Sequence, residues 1–103
     1  MISRKITKYD LVESVYQNSK QEKKDIQQIV DCLVDELKKS LSRGFTIEIR
    51  GFGTFEPRFR KGRASARNPK TGGVAESRPH YVAAFRAGKE LKNALLNLPV
   101  EEN

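Results

Sequence analysis

Residues 45–60 read FTIEIRGFGTFEPRFR, and this stretch decides the fold class. Apolar and polar side chains alternate from Phe45 to Arg50, which predicts a β-strand. Gly51-Phe52-Gly53 interrupts the alternation, and a further strand is predicted from Thr54 to about Arg60. The chain therefore combines strands with the helical segments that precede and follow them.

Two helices are predicted ahead of this stretch. Thr7 caps the first helix, with Asp10 three residues on, and the helix runs from Lys8 to about Asn18. The second helix begins at the capping-box spacing of residues 19–22, SKQE, or alternatively near Glu22. Gly44 suits the left-handed position at its C-terminal end.

The second helix carries the largest apolar surface of the chain. Its aliphatic side chains recur at helical spacing, and burying each of them stabilises the fold by roughly 1.5–3 kcal/mol. They are Ile26, Ile29, Val30, Leu33, Leu37 and Leu41. The first helix is too short to cover them, and a domain of this size buries little surface alone, so we expect a second copy of the chain to cover them.

Residues 61–73 contain no Leu, Ile, Val or aromatic side chain and cannot build a core. The segment from 61 to 78 is therefore either disordered or a two-stranded ribbon that turns near Asn68-Pro69 and Gly72-Gly73. The chain re-enters the fold at residues 80–82, and a last helix follows Gly88 and ends at Pro99. The side chains expected to face inward there are Phe85, Leu91, Leu95 and Leu98.

The positive charge is concentrated in the second half of the chain. The net charge is +7, and residues 58–92 hold ten Lys or Arg against only Glu76 and Glu90. A one-sided basic surface attracts polyanions, with nucleic acid first among them. The alternative is a solubilising surface, which usually mixes charges of both signs.

Other classes of protein find little support in the sequence. Cys32 is the only cysteine, so no disulfide forms within the chain. Met1–Lys5 lacks the apolar run of a signal peptide and no stretch is long enough to span a membrane, so we expect a soluble intracellular protein. His80 is the only histidine, and no catalytic, metal-binding or nucleotide-binding motif is present, so neither an enzyme nor a metal or cofactor site is expected. An RNA or membrane-surface binder would need aromatic RNA-binding motifs or a basic amphipathic helix, and neither stands out.

Three motifs resemble the bacterial HU/IHF family of DNA-bending proteins. Residues 51–55 (GFGTF) are similar to the turn of that family, residues 67–72 (RNPKTG) to the tip of its arms, and residues 85–91 (FRAGKEL) to the entry of its last helix. The resemblance covers about residues 7–96 and is closest to the IHF beta type, because of residues 47–53 and Tyr81-Val82. About one extra residue lies between Phe55 and Pro69, Ala66 and Ala83 replace common Gly and Pro residues, and the N-terminus is longer.

The resemblance implies an α+β fold. An intertwined helical dimer forms the body, short antiparallel sheets form a saddle, and two-stranded ribbon arms protrude from it. Residues 1–103 would form a single domain, with a basic N-terminal extension at 1–6, an arm at about 58–80 and a tail at 99–103. The implied partners are double-stranded DNA and a second chain, either identical or related. The expected dimer core consists of Ile29, Leu33, Leu37, Leu41, Phe52, Phe55 and Phe85.

The resemblance also implies the DNA contacts, since HU and IHF are known architectural proteins that enter the minor groove and kink the duplex. Pro69 would be the intercalating wedge, although a proline there can also merely shape a turn. The arm would bind DNA through Arg58, Arg60, Lys61, Arg63, Arg67, Asn68, Lys70 and Arg78. The body would bind it through Arg50, Lys8, Gly88, Lys89 and Lys92.

The implied function is the bending of DNA in nucleoid organisation, recombination, replication or transcription. The expected location is the bacterial nucleoid in the cytoplasm. The alternative is a largely non-specific, HU-like protein that compacts DNA with little preference for a site.

Overall fold

The computed structural model describes residues 5–67 and 74–100. The chain forms two compact units. Residues up to Lys39, together with those from Leu98 onward, belong to the first unit, and Ser40–Asn97 form the second. The first unit is helical, and the second contains the strands and the last helix.

Helix α1 spans Lys8–Ser19 and begins at a complete capping box. The Asp10 amide donates to Thr7 Oγ1 at 3.3 Å, and the Thr7 amide donates to Asp10 Oδ2 at 3.0 Å. The helix ends because Lys20 adopts a left-handed conformation with φ of 59°. The predicted helix from Lys8 to about Asn18 is thus confirmed, and such a cap is worth about 1 kcal/mol.

Helix α2 spans Lys23–Ser42, so the alternative start near Glu22 is right and the capping box at Ser19 is wrong. Ser19 is the last residue of α1, and its hydroxyl accepts a hydrogen bond from the Gln21 amide within the short turn between the helices. The oxygen is therefore used in a turn and does not cap α2.

The C-terminal end of α2 follows the prediction for Gly44. This glycine has φ of 90°, a conformation that side chains with a Cβ rarely adopt. The Phe45 amide donates to the Ser40 carbonyl and the Gly44 amide to the Leu41 carbonyl, each at 3.0 Å. This is the Schellman arrangement that satisfies the last carbonyls of a helix.

Five strands follow. They are β1 (Ile47–Ile49), β2 (Gly53–Arg60), β3 (Arg63–Arg67), β4 (Val74–Ser77) and β5 (His80–Ala87). β1, β2 and β5 form an antiparallel sheet in that order, and β3 pairs with β4. β1 is shorter than predicted, because the Phe45 amide is bonded to α2 and Arg50 lies in a turn closed by the Phe52 amide on the Ile49 carbonyl.

The arm is a ribbon over its described part, so of the two alternatives disorder is wrong there. β2 and β5 end with Arg60 opposite His80, and Arg63 opposite Ser77 continues the same register after a short break. The register then shifts, since Ala66 lies opposite Ala75 and β3 thus has one residue more than β4 in this interval. This irregularity lies in the stretch where the comparison with the family placed an extra residue, and a bulge accommodates one without ending the pairing.

The sheet has an apolar face. Three cross-strand pairs share it, namely Phe55 with Phe85, Pro57 with Ala83, and Phe59 with Tyr81. The rings of Phe52, Phe55 and Phe85 lie with centroids 4.8–6.2 Å apart. Helix α3 (Lys89–Leu95) follows β5. It stops short of Pro99, and Leu95 and Leu98, predicted to face inward, are about half exposed.

Among the described residues the only buried apolar side chains are Val12 and Ile26. Ile29 and Leu33, on the stripe of α2, are 66% and 55% exposed, while Leu37 and Leu41 are half-buried. Within the described residues these apolar side chains are thus largely exposed to water, and the expectation that a second chain covers them stays a prediction.

Candidate nucleic-acid interface

The second face of the sheet is polar and basic. Its cross-strand pairs are Thr54 with Arg86, Glu56 with Ala84, Arg58 with Val82, and Arg60 with His80. Arg58 and Arg60 share this face and are exposed, as the period of two predicted. Phe59 lies on the opposite face, where its ring meets Tyr81 edge-on at 5.5 Å. This contact makes Phe59 a packing residue of the apolar face.

Arg86 is a basic residue of this face that the sequence analysis did not select. Its Nη2 lies 3.1 Å from Glu56 Oε1 across the two strands. Arg86 is 65% exposed, so the pair contributes little to stability, but it neutralises one positive charge on the basic face. The period of two along β5 was the signal that could have found it.

His80 lies where the sheet passes into the arm. Its Nδ1 is 2.7 Å from the carbonyl oxygen of Arg78. Because a carbonyl only accepts, Nδ1 carries the proton in this contact. Arg60 is directly opposite on β2, and the side chain of His80 is exposed.

The rest of the predicted arm is partly described. Lys61 and Arg78 are exposed in the two connections between sheet and ribbon, and β3 contains Arg63 and Arg67. The predicted tip residues Asn68, Pro69 and Lys70 lie outside the described residues. The two antiparallel pairs, β2 with β5 and β3 with β4, thus follow one another along the chain with a short break between them.

The predicted body contacts in the second unit have different environments. Arg50 is exposed in the turn between β1 and β2, and Lys89 and Lys92 are exposed on α3. The Gly88 amide donates to the Phe52 carbonyl at 2.9 Å, so this donor is already used and is not free for a phosphate. Glu90 in the first turn of α3 also places a negative charge at the end expected to attract phosphate.

Lys8, the predicted body contact in the first unit, has an acidic neighbour. Its Nζ lies 2.6 Å from Asp31 Oδ1, which joins α1 to α2, while about half of each side chain stays exposed. Lys23 makes a second link between these helices through Glu13 and the Tyr9 hydroxyl. The hydrogen bond that Lys23 donates to the Glu13 carboxylate is the main reason why the pKa of Lys23 is raised above 10.5.

The sequence profile of the family described as "Bacterial DNA-binding protein" matches residues 6–96. The chain belongs to this family, that of HU and IHF. Members bind double-stranded DNA as dimers and are architectural proteins, not enzymes.

Similar proteins support the same assignment. The alpha subunit of integration host factor from an Anaeromyxobacter species is 43% identical over 90 residues, which cover 87% of this chain and 90% of the relative. The alpha subunit from Myxococcus xanthus is 42% identical over 90 residues and is covered to 69%. Since these relatives are alpha subunits, the expected closeness to the beta type finds no support in them.

Solved structures share the fold of this HU/IHF-family chain. The HU–DNA cocrystal structure from Anabaena matches with a TM-score of 0.79 and 32% identity, covering 91% of this chain and all of that one. A point mutant of HU from Thermotoga maritima matches with a TM-score of 0.64 and 27% identity, covering 87% and 99%. The α+β fold of the family is therefore confirmed.

Two searches of the described residues were negative. They contain no helix that is long and apolar enough to cross a membrane. Nor do residues 5–67 and 74–100 bring together three or more His, Cys, Asp or Glu side chains that could hold a metal ion.

Proposed function

We propose that this HU/IHF-family chain bends double-stranded DNA with two ribbon arms, one from each chain of a dimer. The observation that carries the proposal is the register across the sheet and the ribbon. β2 and β5 continue into β3 and β4, so the basic face with Arg58 and Arg60 leads directly into the arm. Arginine side chains suit a narrow minor groove, where the negative potential is strongest.

Pro69 is proposed as the wedge at the arm tip. Proline is rigid and has no N–H, so it enters a base step without leaving a donor unsatisfied. Partial unstacking costs a few kcal/mol per step, and the bend that results brings more DNA against the protein. Asn68 and Lys70 would contact the backbone beside the kink, together with Lys61, Arg63, Arg67 and Arg78 along the arm.

The DNA that leaves the kink is proposed to follow the body. Arg50, Lys89 and Lys92 are exposed and free to meet phosphates. Lys8 would contact a phosphate in place of Asp31. The Gly88 amide already donates to the Phe52 carbonyl, so Gly88 would contribute only through its lack of a side chain. We propose that residues 1–103 act as one DNA-binding domain, with the basic segment 1–6 as an extension, residues 58–80 as the arm and 99–103 as a tail.

The subunit type affects the partner and the site preference. The residues at 47–53 suggested a beta type, but the relatives above are alpha subunits, so we do not assign the chain to either type. We propose a homodimer in the bacterial nucleoid of the cytoplasm, with roles in nucleoid organisation, recombination, replication or transcription. The alternative is non-specific compaction, which competition between random and selected duplexes distinguishes.

Ligase-mediated circularisation of a short linear duplex tests the proposal. The protein should promote small circles, which unbent DNA of that length does not form. Pro69→Ala should reduce circle formation more than binding, while Pro99→Ala, which changes a proline in the tail, should change neither. Binding without circles would contradict bending, and equal circle formation by Pro69→Ala would contradict the wedge.

A further inference from the structure

His80 occupies a special place on the basic face. It is the only histidine of the chain and the first residue of β5, directly after the connection from the arm. If the chain binds DNA as proposed above, DNA that passes from the sheet to the arm would lie next to His80. An imidazole there adds a charge that depends on pH, unlike the arginines around it.

The hydrogen bond to Arg78 determines which nitrogen of the ring changes its charge state. Nδ1 donates to the Arg78 carbonyl at 2.7 Å and keeps its proton in the neutral and the charged ring. Nε2 is then the nitrogen that gains a proton when the ring becomes an imidazolium. As a cation, the exposed ring offers a charged donor to a phosphate, and as a neutral base it offers only an acceptor.

The charges that face His80 are mainly positive. Arg60 lies directly opposite on β2, and Arg58 is its diagonal neighbour on the same face. On its own side, Arg78 precedes it, and Arg86 lies further along β5 in the pair with Glu56. Glu56 is the acidic residue of β2 on this face, four residues from Arg60 and thus about 13 Å along the strand. No described carboxylate of β2 or β5 therefore lies beside the imidazole.

We propose that His80 is a phosphate-binding residue at the base of the arm, and that its protonation makes DNA affinity depend on pH. A phosphate held beside His80 and Arg60 attracts an imidazolium more strongly than a neutral ring. DNA binding therefore favours the charged ring, and by linkage the charged ring favours DNA. The additional affinity is present when the ring is charged and absent when it is neutral.

The test measures affinity for a fluorescent duplex by anisotropy. The wild-type protein should bind about fivefold to tenfold more tightly at about pH 5.5 than at about pH 7.5, counting one exposed contact from each arm of the dimer. His80→Gln should remove this dependence and bind weakly at both values. His80→Arg should also remove it but bind tightly at both, because its charge is permanent.

Proton uptake gives a second and independent readout. Calorimetric titrations in buffers of different ionisation enthalpy should show protons bound on complex formation by the wild type near neutral pH, and none by His80→Gln. Equal pH profiles for the wild type and His80→Gln would overturn the assignment of His80 and leave DNA binding intact. Absence of duplex binding at every pH would instead overturn the proposed function.

Discussion

Gly53 lies directly against the ring of Phe85. A Cβ atom at position 53 would be 2.6 Å from Cζ of Phe85 and 2.6 Å from the carbonyl oxygen of Arg86. The glycine has no unusual φ, so space and not backbone conformation requires it. The three-ring cluster of Phe52, Phe55 and Phe85 thus packs onto a strand whose first residue has no side chain.

Gly53→Ala should therefore destabilise the protein. Neither the ring of Phe85 nor the backbone of Arg86 can move far, so we expect a loss of about 1–3 kcal/mol in the free energy of unfolding, as for overpacked cores. Urea denaturation followed by circular dichroism measures it. Gly44→Ala separates the two causes, since nothing lies within 4 Å of its Cβ and its left-handed φ alone should destabilise that variant. An unchanged urea midpoint for Gly53→Ala would contradict the close approach.

The pair of Glu56 and Arg86 should weaken DNA binding in the unchanged protein. Glu56→Gln frees Arg86 for a phosphate, so we expect affinity to rise and the slope of log affinity against log salt to steepen by about 0.9 for each arginine released. Anisotropy titrations at several salt concentrations measure both. Glu36→Gln removes the acidic partner of a pair with Lys39 on α2 and should leave the slope unchanged. A shallower slope for Glu56→Gln would argue against Arg86 as a DNA contact.

Leu33→Asp should prevent the dimer from forming. Leu33 is 55% exposed in the single chain and lies on the stripe that a partner covers, so a buried carboxylate there would lose its hydration without a compensating partner. Sedimentation should show a monomer or an unfolded chain. Gln28→Asp introduces the same charge at an exposed position of α2 outside the aliphatic stripe and should remain dimeric. A stable folded dimer of Leu33→Asp would show that the stripe is not the interface.

The link between Lys23 and Glu13 predicts a pH dependence at the alkaline end. Because the pKa of Lys23 is raised, chiefly by the hydrogen bond it donates to the Glu13 carboxylate, the charged pair stabilises the fold below pH 10.5. This stabilisation is lost as pH rises through the raised pKa. The difference in melting temperature between the wild type and Glu13→Gln should therefore be positive near neutral pH and vanish once pH exceeds the raised pKa of Lys23. A difference that persists at high pH would mean that Glu13 acts through packing.

Patterns along the sequence predicted the helices and strands well, because their causes are local. Thr7 and Asp10 are three residues apart and cap α1 together, and Gly44 ends α2 by its own backbone conformation. The start of α2 was ambiguous for a local reason too, since the Ser19 hydroxyl could either cap α2 or accept a hydrogen bond in the turn before it. The candidate site was harder to predict from the sequence, because Arg86 pairs with Glu56 on another strand.

The sequence by itself determined the element types, the basic arm and the unburied stripe, since composition and periodicity act over a few residues. Tertiary structure decided which distant groups meet. The amide of Gly88 serves Phe52, Lys8 lies at Asp31, and Gly53 makes room for Phe85. These partners are separated by some twenty to forty residues in the sequence. Sheet register and helix packing bring them together, and no local sequence pattern encodes such contacts. Gly53 therefore helps to interrupt the apolar-polar alternation of residues 45–50 and also leaves the space that the ring of Phe85 requires.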